Sequence, residues 1–416
     1  EFDEKADIYI VNTCSVTNIA DKKSRQMLHR ARKMNPDGIV IAAGCYVQSA
    51  REILEQDEAI DIVISNNKKK SITEIVNDYI NVRNNGKNAP GKDHEAMEYF
   101  VDISRETEYE EMGGHVPVGH TRAYVKIQDG CNQFCSYCII PYVRGRIRSR
   151  SQEAILAEVS ELAEAGIKEV VLTGIHISSY GKDKNNEGAL IELIEAISKI
   201  KGIKRIRLGS LEPGIITEEF VERISSNSKV CPHFHLSLQS GCDSVLKRMN
   251  RKYTCEQYFE KCDMLRKAYK SPALTTDVIV GFPGETEEEF AETVRYLTEL
   301  NLYEMHIFKY SPRKGTVAAA MKEQVAPEIK NERSDVLLKL AHDNKTAYES
   351  QFEGCELEVL VEEVVKKNNK TYLRGHTERY MDILIDVGDI SMPESFVNSF
   401  VYVTYTQNGG NLPLLL

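Results

Sequence analysis

The sequence predicts a multidomain α/β protein: an N-terminal parallel α/β sheet domain incomplete at its start, a central partial (β/α)6 barrel, and a small C-terminal all-β barrel. Three observations predict it. The chain has 416 residues, enough for two or three cores. Apolar strand-like runs alternate with amphipathic stretches of helical length as far as residue 352. Beyond that point short runs rich in β-branched and aromatic residues take over.

Composition narrows the class. Hydrophobic residues make up 42% and charged residues 28%, which excludes a disordered chain. No apolar run approaches the roughly 18 residues of a membrane-spanning helix. The opening Glu1-Phe2-Asp3-Glu4-Lys5 has neither the basic nor the apolar region of a signal peptide, so a cytoplasmic protein without membrane contact is expected. There, ten cysteines point to metal ligation or burial rather than disulfides. The net charge of −10 neither requires nor excludes a nucleic acid, and an anionic ligand must be met by a local basic patch.

In the first domain, residues 1–82, strands are predicted at 7–11, 38–43 and 60–65, with a helix over 17–34. The chain enters a buried-type strand at once, so an upstream piece is expected to be absent. Residues 83–121 carry turn formers such as Asn85-Gly86 and Gly113-Gly114 and are expected to be a linker. The barrel and the helix after it occupy 122–352, with strands at 123–127, 169–172, 205–208, 233–238, 275–280 and 303–310 and the final helix over 328–351. Functional loops belong at the C-terminal ends of such strands. Strands at 357–361, 371–375, 380–385 and 400–405 build the last domain, residues 353–416.

The sharpest motif is Gly130-Cys131-Asn132-Gln133-Phe134-Cys135-Ser136-Tyr137-Cys138, which follows a predicted strand. Three thiolates at this spacing can ligate three irons of a cubane and leave the fourth open. Zinc would require a fourth protein ligand nearby, and none stands at finger-like spacing. The motif resembles the radical S-adenosylmethionine superfamily. Asn12-Thr13-Cys14-Ser15-Val16-Thr17, Gly44-Cys45-Tyr46-Val47-Gln48 and the continuation Ile139-Ile140-Pro141-Tyr142-Val143-Arg144-Gly145-Arg146 narrow the resemblance to the methylthiotransferase family. Taken alone, Cys14 and Cys45 fit core thiols equally well.

That resemblance implies a radical-SAM barrel at the centre, a TRAM-like RNA-binding barrel at the end, S-adenosylmethionine as cofactor, and two 4Fe-4S clusters. Cys131, Cys135 and Cys138 would hold one cluster. Cys14 and Cys45 would hold the auxiliary one, whose third family ligand lies in an earlier unit with no counterpart in this sequence. Thr173 and Gly174 are similar to the family site for the cofactor's amino group. Ser210 and Glu212 are similar to the ribose-contacting segment, Gln239, Asp277 and Gly281 close the set, and Tyr137 is similar to the aromatic beside the adenine. Each strand-end glycine also fits a plain turn. Cys231, Cys242, Cys255, Cys262 and Cys355 lack paired spacing and read as structural.

Arg144, Arg146, Arg148 and Arg150, and the run containing Lys247, Arg248, Arg251 and Lys252, suit bidentate contact with tRNA phosphates, or are solvated faces. In the last domain Tyr372, Arg374, His376, Arg379 and Tyr380 offer the faces that single-stranded RNA uses. Within the family, Leu172-Thr173-Gly174-Ile175-His176-Ile177-Ser178-Ser179-Tyr180-Gly181 looks most like the branch that adds a methylthio group to C2 of N6-threonylcarbamoyladenosine at tRNA position 37. His176 fits either substrate contact or hydrogen-bonded packing. The other branches act on N6-isopentenyladenosine or on a ribosomal-protein aspartate. A radical enzyme without sulfur insertion and a non-catalytic RNA-binding fragment are the readings outside the reaction. The expected partners are tRNA, an electron donor and a sulfur source, with the chain a monomer.

Overall fold

The computed structural model describes residues 4–15, 17–84, 99–113, 119–368, 370–388, 392–407 and 409–411. Val16 of the first cysteine motif, much of the expected linker (85–98 and 114–118) and the tail 412–416 lie outside the described residues. The chain divides into two compact units. One comprises Glu1–Gly113, Asp129–Ser149 and Ser311–Met321, the other Gly114–Gln128, Arg150–Tyr310 and Lys322–Leu416.

The first unit opens with β1 (Ile8–Thr13), α1 (Asn18–Met34), β2 (Ile39–Gly44), α2 (Cys45–Ser49), α3 (Arg51–Glu55), β3 (Ile62–Ile64) and α4 (Ile72–Asn84). The strands form a parallel sheet in the order β1-β2-β3. β2 is buried at every position, which is why its apolar run shows no alternation, whereas edge strand β1 alternates. Thr17 caps α1 by accepting from the Ala20 amide, and the helix buries Leu28 and Ala31 against the sheet. Because Thr13 pairs with Gly44, Cys14 and Cys45 leave the same sheet edge side by side. The unit also holds α5 (Ile140–Val143) and the two-residue strand β5 (Arg148–Ser149).

The second unit contains a half-barrel sheet. Strands β4 (Arg122–Asp129), β6 (Glu169–Gly174) and β7 (Arg205–Leu208) are parallel, as are β8 (His233–His235), β9 (Ala273–Val280) and β10 (Glu304–Lys309). Single bridges Ile206↔Val230 and Leu211↔Leu236 join the two sets. Helices α6 (Gln152–Glu164), α7 (Ala189–Ser198), α8 (Glu218–Ser225), α9 (Asp243–Arg248), α10 (Cys255–Ala268) and α11 (Glu287–Leu300) lie between strands in the chain. Residues of these strands and helices share one core, with Ile127, Leu172, Ile206, Phe234 and Val278 at its centre. β8 is shorter than the run 233–238 predicts, and beyond it Leu236 keeps only a single bridge to Leu211.

After α12 (Pro327–Ser350), strands β11 (Glu356–Lys367), β12 (Lys370–Thr377), β13 (Asp382–Asp386), β14 (Phe400–Thr406) and β15 (Gly409–Asn411) close a barrel in the order β11-β12-β13-β15-β14. Two buried arginines of β7 hold it. Arg205 donates to the carbonyls of His376 and Glu358, at 3.0 Å each. Arg207 donates to those of Glu378 and Thr377, at 2.9 and 3.2 Å, and also pairs with buried Glu169 at 2.8 Å. Replacing Arg207 alone by Met leaves buried Glu169 with only the more distant Arg205, at 3.8 Å, and should cost about 3 kcal/mol of stability, read as a lowered denaturation midpoint of the whole chain.

Candidate active site

The loop after β4 belongs to the first unit and is built around two close approaches of backbone. Gly130 has φ 73°, and a Cβ there would lie 1.8 Å from the Arg146 carbonyl oxygen. The Cys131 amide donates to the Gly145 carbonyl at 3.0 Å and the Cys138 amide to that of Cys135 at 2.9 Å. The Gln133 amide points at the Cys131 sulfur, 3.5 Å away. Cys131 is buried, while Cys135, Cys138 and Tyr137 are half-buried. Three sulfurs on one folded loop, with a main-chain N–H aimed at one of them, form a donor set that suits an iron–sulfur cluster.

Gly44 repeats the device before Cys45: its φ is 105°, and a Cβ would stand 2.4 Å from the Thr13 carbonyl oxygen. Cys45 is buried and Cys14 exposed. Nε of Arg144 lies 3.0 Å from the Cys45 sulfur, Nδ2 of Asn66 lies 3.8 Å from it, and Arg144 Nη1 reaches Asp129 at 3.2 Å. Burial works against the Arg144 charge, but Asp129 and Cys45 outweigh it and hold its pKa above the ordinary arginine value. Cys14 and Cys45 supply two thiols; among the described residues the unit's other cysteines are those of the C-x3-C-x2-C loop.

The segment after β10 steadies the Cys14 loop. Arg313 donates to Ser15 Oγ at 2.8 Å, Asn18 Oδ1 at 2.6 Å and Asp21 at 2.8 Å, and the Ala318 amide of the same segment donates to the Ser136 carbonyl at 2.8 Å. Arg313→Ala should therefore speed amide hydrogen exchange around Cys14 by about 10–100-fold, the equivalent of a lost charged hydrogen bond. Nothing in the local sequence marked Arg313 or Asp129, since their partners are distant in the chain or lie in a backbone turn.

In the second unit most of the cofactor residues expected from sequence stand at or beyond strand ends, whereas Asp277 lies within β9. Thr173 and Gly174 end β6, and a Cβ on Gly174 would meet the Gln128 carbonyl at 3.0 Å. Beyond β7, Glu212 lies 3.3 Å from His176 Nε2 and 3.9 Å from Arg251, and its own amide donates to Ser178 Oγ at 2.9 Å. Burial raises the Glu212 pKa, but His176 and Arg251 overcome it and hold the carboxyl below its usual range. Ser210, in the same loop, is exposed. Gln239 is buried and its amide donates to the Asp277 carbonyl at 2.9 Å. Gly281 has φ 68°, donates to Glu285 Oε2 at 2.7 Å, and has Lys330 where a Cβ would fall.

The basic runs divide sharply. Arg144 serves Cys45; Arg148 is buried and donates to the carbonyls of Arg144 and Arg146; Arg150 pairs with Glu158. Arg248 pairs with Glu289 at 2.6 Å, and Arg251 donates to Tyr253 Oη at 2.8 Å. Arg146, Lys247 and Lys252 remain exposed, with Arg146 over the Phe134 ring and Lys252 Nζ donating to Asn250 Oδ1 at 2.7 Å. On the last barrel, Tyr380 lies against Arg122 and Arg207, Arg379 donates to Ser271 and Lys270 carbonyls, and Arg374 pairs with Asp382. Most of these guanidinium groups are thus engaged within the protein.

The Radical SAM superfamily pattern matches residues 125–297, and that of the uncharacterized protein family UPF0004 matches residues 1–65. The chain is 40% identical over 385 residues, 92% of its length and 83% of the relative's, to a threonylcarbamoyladenosine tRNA methylthiotransferase MtaB of Bacillus subtilis. It is 36% identical over 414 residues, 97% of its length and 83% of the relative's, to a tRNA-2-methylthio-N(6)-dimethylallyladenosine synthase of Thermoanaerobacter pseudethanolicus. A solved structure, the radical S-adenosylmethionine methyltransferase TsrM of Kitasatospora setae, shares the fold with TM-score 0.55 and 15% identity over 74% of this chain and 66% of that one. With its cysteine loop, half-barrel sheet and these relatives, the chain belongs to the radical S-adenosylmethionine methylthiotransferase family.

Proposed function

We propose that the protein replaces the C2 hydrogen of N6-threonylcarbamoyladenosine at position 37 of tRNA by a methylthio group. The reading rests on the 40% identity to MtaB across 92% of the chain, together with the Cys131/Cys135/Cys138 loop. The net reaction consumes two molecules of S-adenosylmethionine, one cleaved to 5'-deoxyadenosine and methionine and one giving its methyl group. Cys131, Cys135 and Cys138 would hold a 4Fe-4S cluster, which when bound supplies the electron for that cleavage.

The chain's own residues supply binding and orientation. Glu212, kept ionised by His176 and Arg251, is a ready acceptor for ribose hydroxyls, and Ser210 beside it can donate or accept. Gly174 and Thr173 leave backbone open to an ammonium group. Cys14 and Cys45 would contribute to an auxiliary cluster that supplies the inserted sulfur, and Arg144 and Asn66 would donate to the Cys45 thiolate. Arg146, Lys247 and Lys252 are the exposed cations of the two runs available to tRNA phosphates. An electron donor and a sulfur source complete the reaction.

Mass spectrometry of tRNA nucleosides from cells lacking the gene tests the reading. The 2-methylthio form of threonylcarbamoyladenosine should disappear and its unthiolated precursor accumulate. Persistence of that form with loss of 2-methylthio-isopentenyladenosine would transfer the protein to the other branch.

A further inference from the structure

Three adjacent strands of the half-barrel place His235 (β8), Asp277 (β9) and His306 (β10) together, so that one nitrogen or oxygen of each lies within 4.8 Å of the others. His306 is directly opposite Asp277 in the ladder, and His235 is opposite Thr275, two residues before Asp277 on the same strand face. Asp277 and Ile279 are half-buried, whereas Val278 and Val280 enter the core. The His235 ring is fixed by Nδ1 against Thr275 Oγ1 at 3.0 Å and lies roughly parallel to the His306 ring at 5.9 Å. Its other nitrogen, Nε2, is buried 3.4 Å from Asp277 Oδ2 and has no hydrogen-bond partner. The long His235–Asp277 contact and the exposed His306 imidazole beside it leave hydrogen-bonding capacity that a polar ligand can use.

The two curated relatives act, by their names, on adenines whose N6 substituents differ in kind, yet this chain is 40% and 36% identical to them. On the basis of the function proposed above, we propose that His235, Asp277 and His306 receive the N6 substituent of the target adenine and select a ureido-carboxylate group over a hydrocarbon one. The Asp277 carboxylate accepts from the ureido N–H groups, and the two imidazoles offer the complementary donors and acceptors for its carbonyl and carboxylate. A dimethylallyl group in the same place offers the carboxylate and the two imidazoles no hydrogen-bond partner, which is how a hydrogen-bonding site disfavours an apolar analogue.

The test uses the full chain and anticodon stem-loop RNAs carrying threonylcarbamoyladenosine, isopentenyladenosine or plain adenosine. Binding is measured by fluorescence anisotropy, with His306→Phe and His235→Phe beside the unchanged protein. Unchanged protein should prefer the threonylcarbamoyl RNA, and each variant should lose about 10–100-fold of that preference while holding plain RNA equally well. Preference retained in both variants overturns the assignment of these three residues alone. Absence of preference in the unchanged protein overturns the functional reading with it. One equivalent of zinc, lost on His235→Ala, would show instead that the two imidazoles and the carboxylate serve a metal.

Discussion

Cys135→Ala should abolish reductive cleavage of S-adenosylmethionine by anaerobically reconstituted protein, whereas Cys255→Ala should leave it unchanged. The contrast is chemical. Cys135 sits on the loop where Gly130 and the Cys131–Gly145 and Cys138–Cys135 hydrogen bonds gather three sulfurs, and removing one leaves two ligands for a cluster that needs three. Cys255 opens α10; burial first, then nearby Asp243, pushes its thiol far above the usual range, so it stays protonated and a poor ligand. 5'-Deoxyadenosine yield under dithionite is the readout. Equal loss in the two variants would remove the ligand assignment and with it the enzymatic reading.

On the proposed role of Cys45 as a ligand of the auxiliary cluster, Arg144→Leu should lower formation of the methylthio product about 10–100-fold, the usual penalty for losing a partner of a metal ligand. Its guanidinium joins the Cys45 sulfur to the buried Asp129 carboxylate, so the variant strips the sulfur of a charged donor and leaves a carboxylate without that cation. Arg144→Lys keeps the charge but cannot reach both partners through a planar fork, and an intermediate loss is expected. The ratio of methylthio product to 5'-deoxyadenosine separates the roles: it should fall if Arg144 acts at Cys45. An unchanged ratio with both products reduced would place its effect on the cluster loop instead.

Much of this architecture was legible in the sequence, for identifiable reasons. β2 and β6 are largely apolar runs bounded by turn formers, and their positions follow from the pattern of apolar residues. The long helices α6, α10 and α11 carry Ser or Thr caps that mark where each begins. The short helices α2 and α3, five residues each, and strand β15, three residues including two glycines, have too few residues to show a period. At the site, spacing announced Cys131, Cys135 and Cys138, but a basic run looks the same whether it faces phosphate or a buried sulfur. Arg144 and Arg148 therefore read as surface charge, and only the fold, which brings Arg144 to a residue 99 positions earlier, separates them from exposed Arg146. The His235, Asp277 and His306 grouping was equally hidden, because it arises from ladder register across three strands.

The mounting of the small barrel on β7 is asymmetric. The half-barrel contributes arginine side chains, while the small barrel answers mainly with main-chain oxygens of Glu358, His376, Thr377 and Glu378. Every amino acid brings such an oxygen, so evolution can rewrite the outward side chains of the appendage without loosening the joint. The same economy makes it a natural place for exchanging modules between relatives, provided the incoming piece follows the same backbone path.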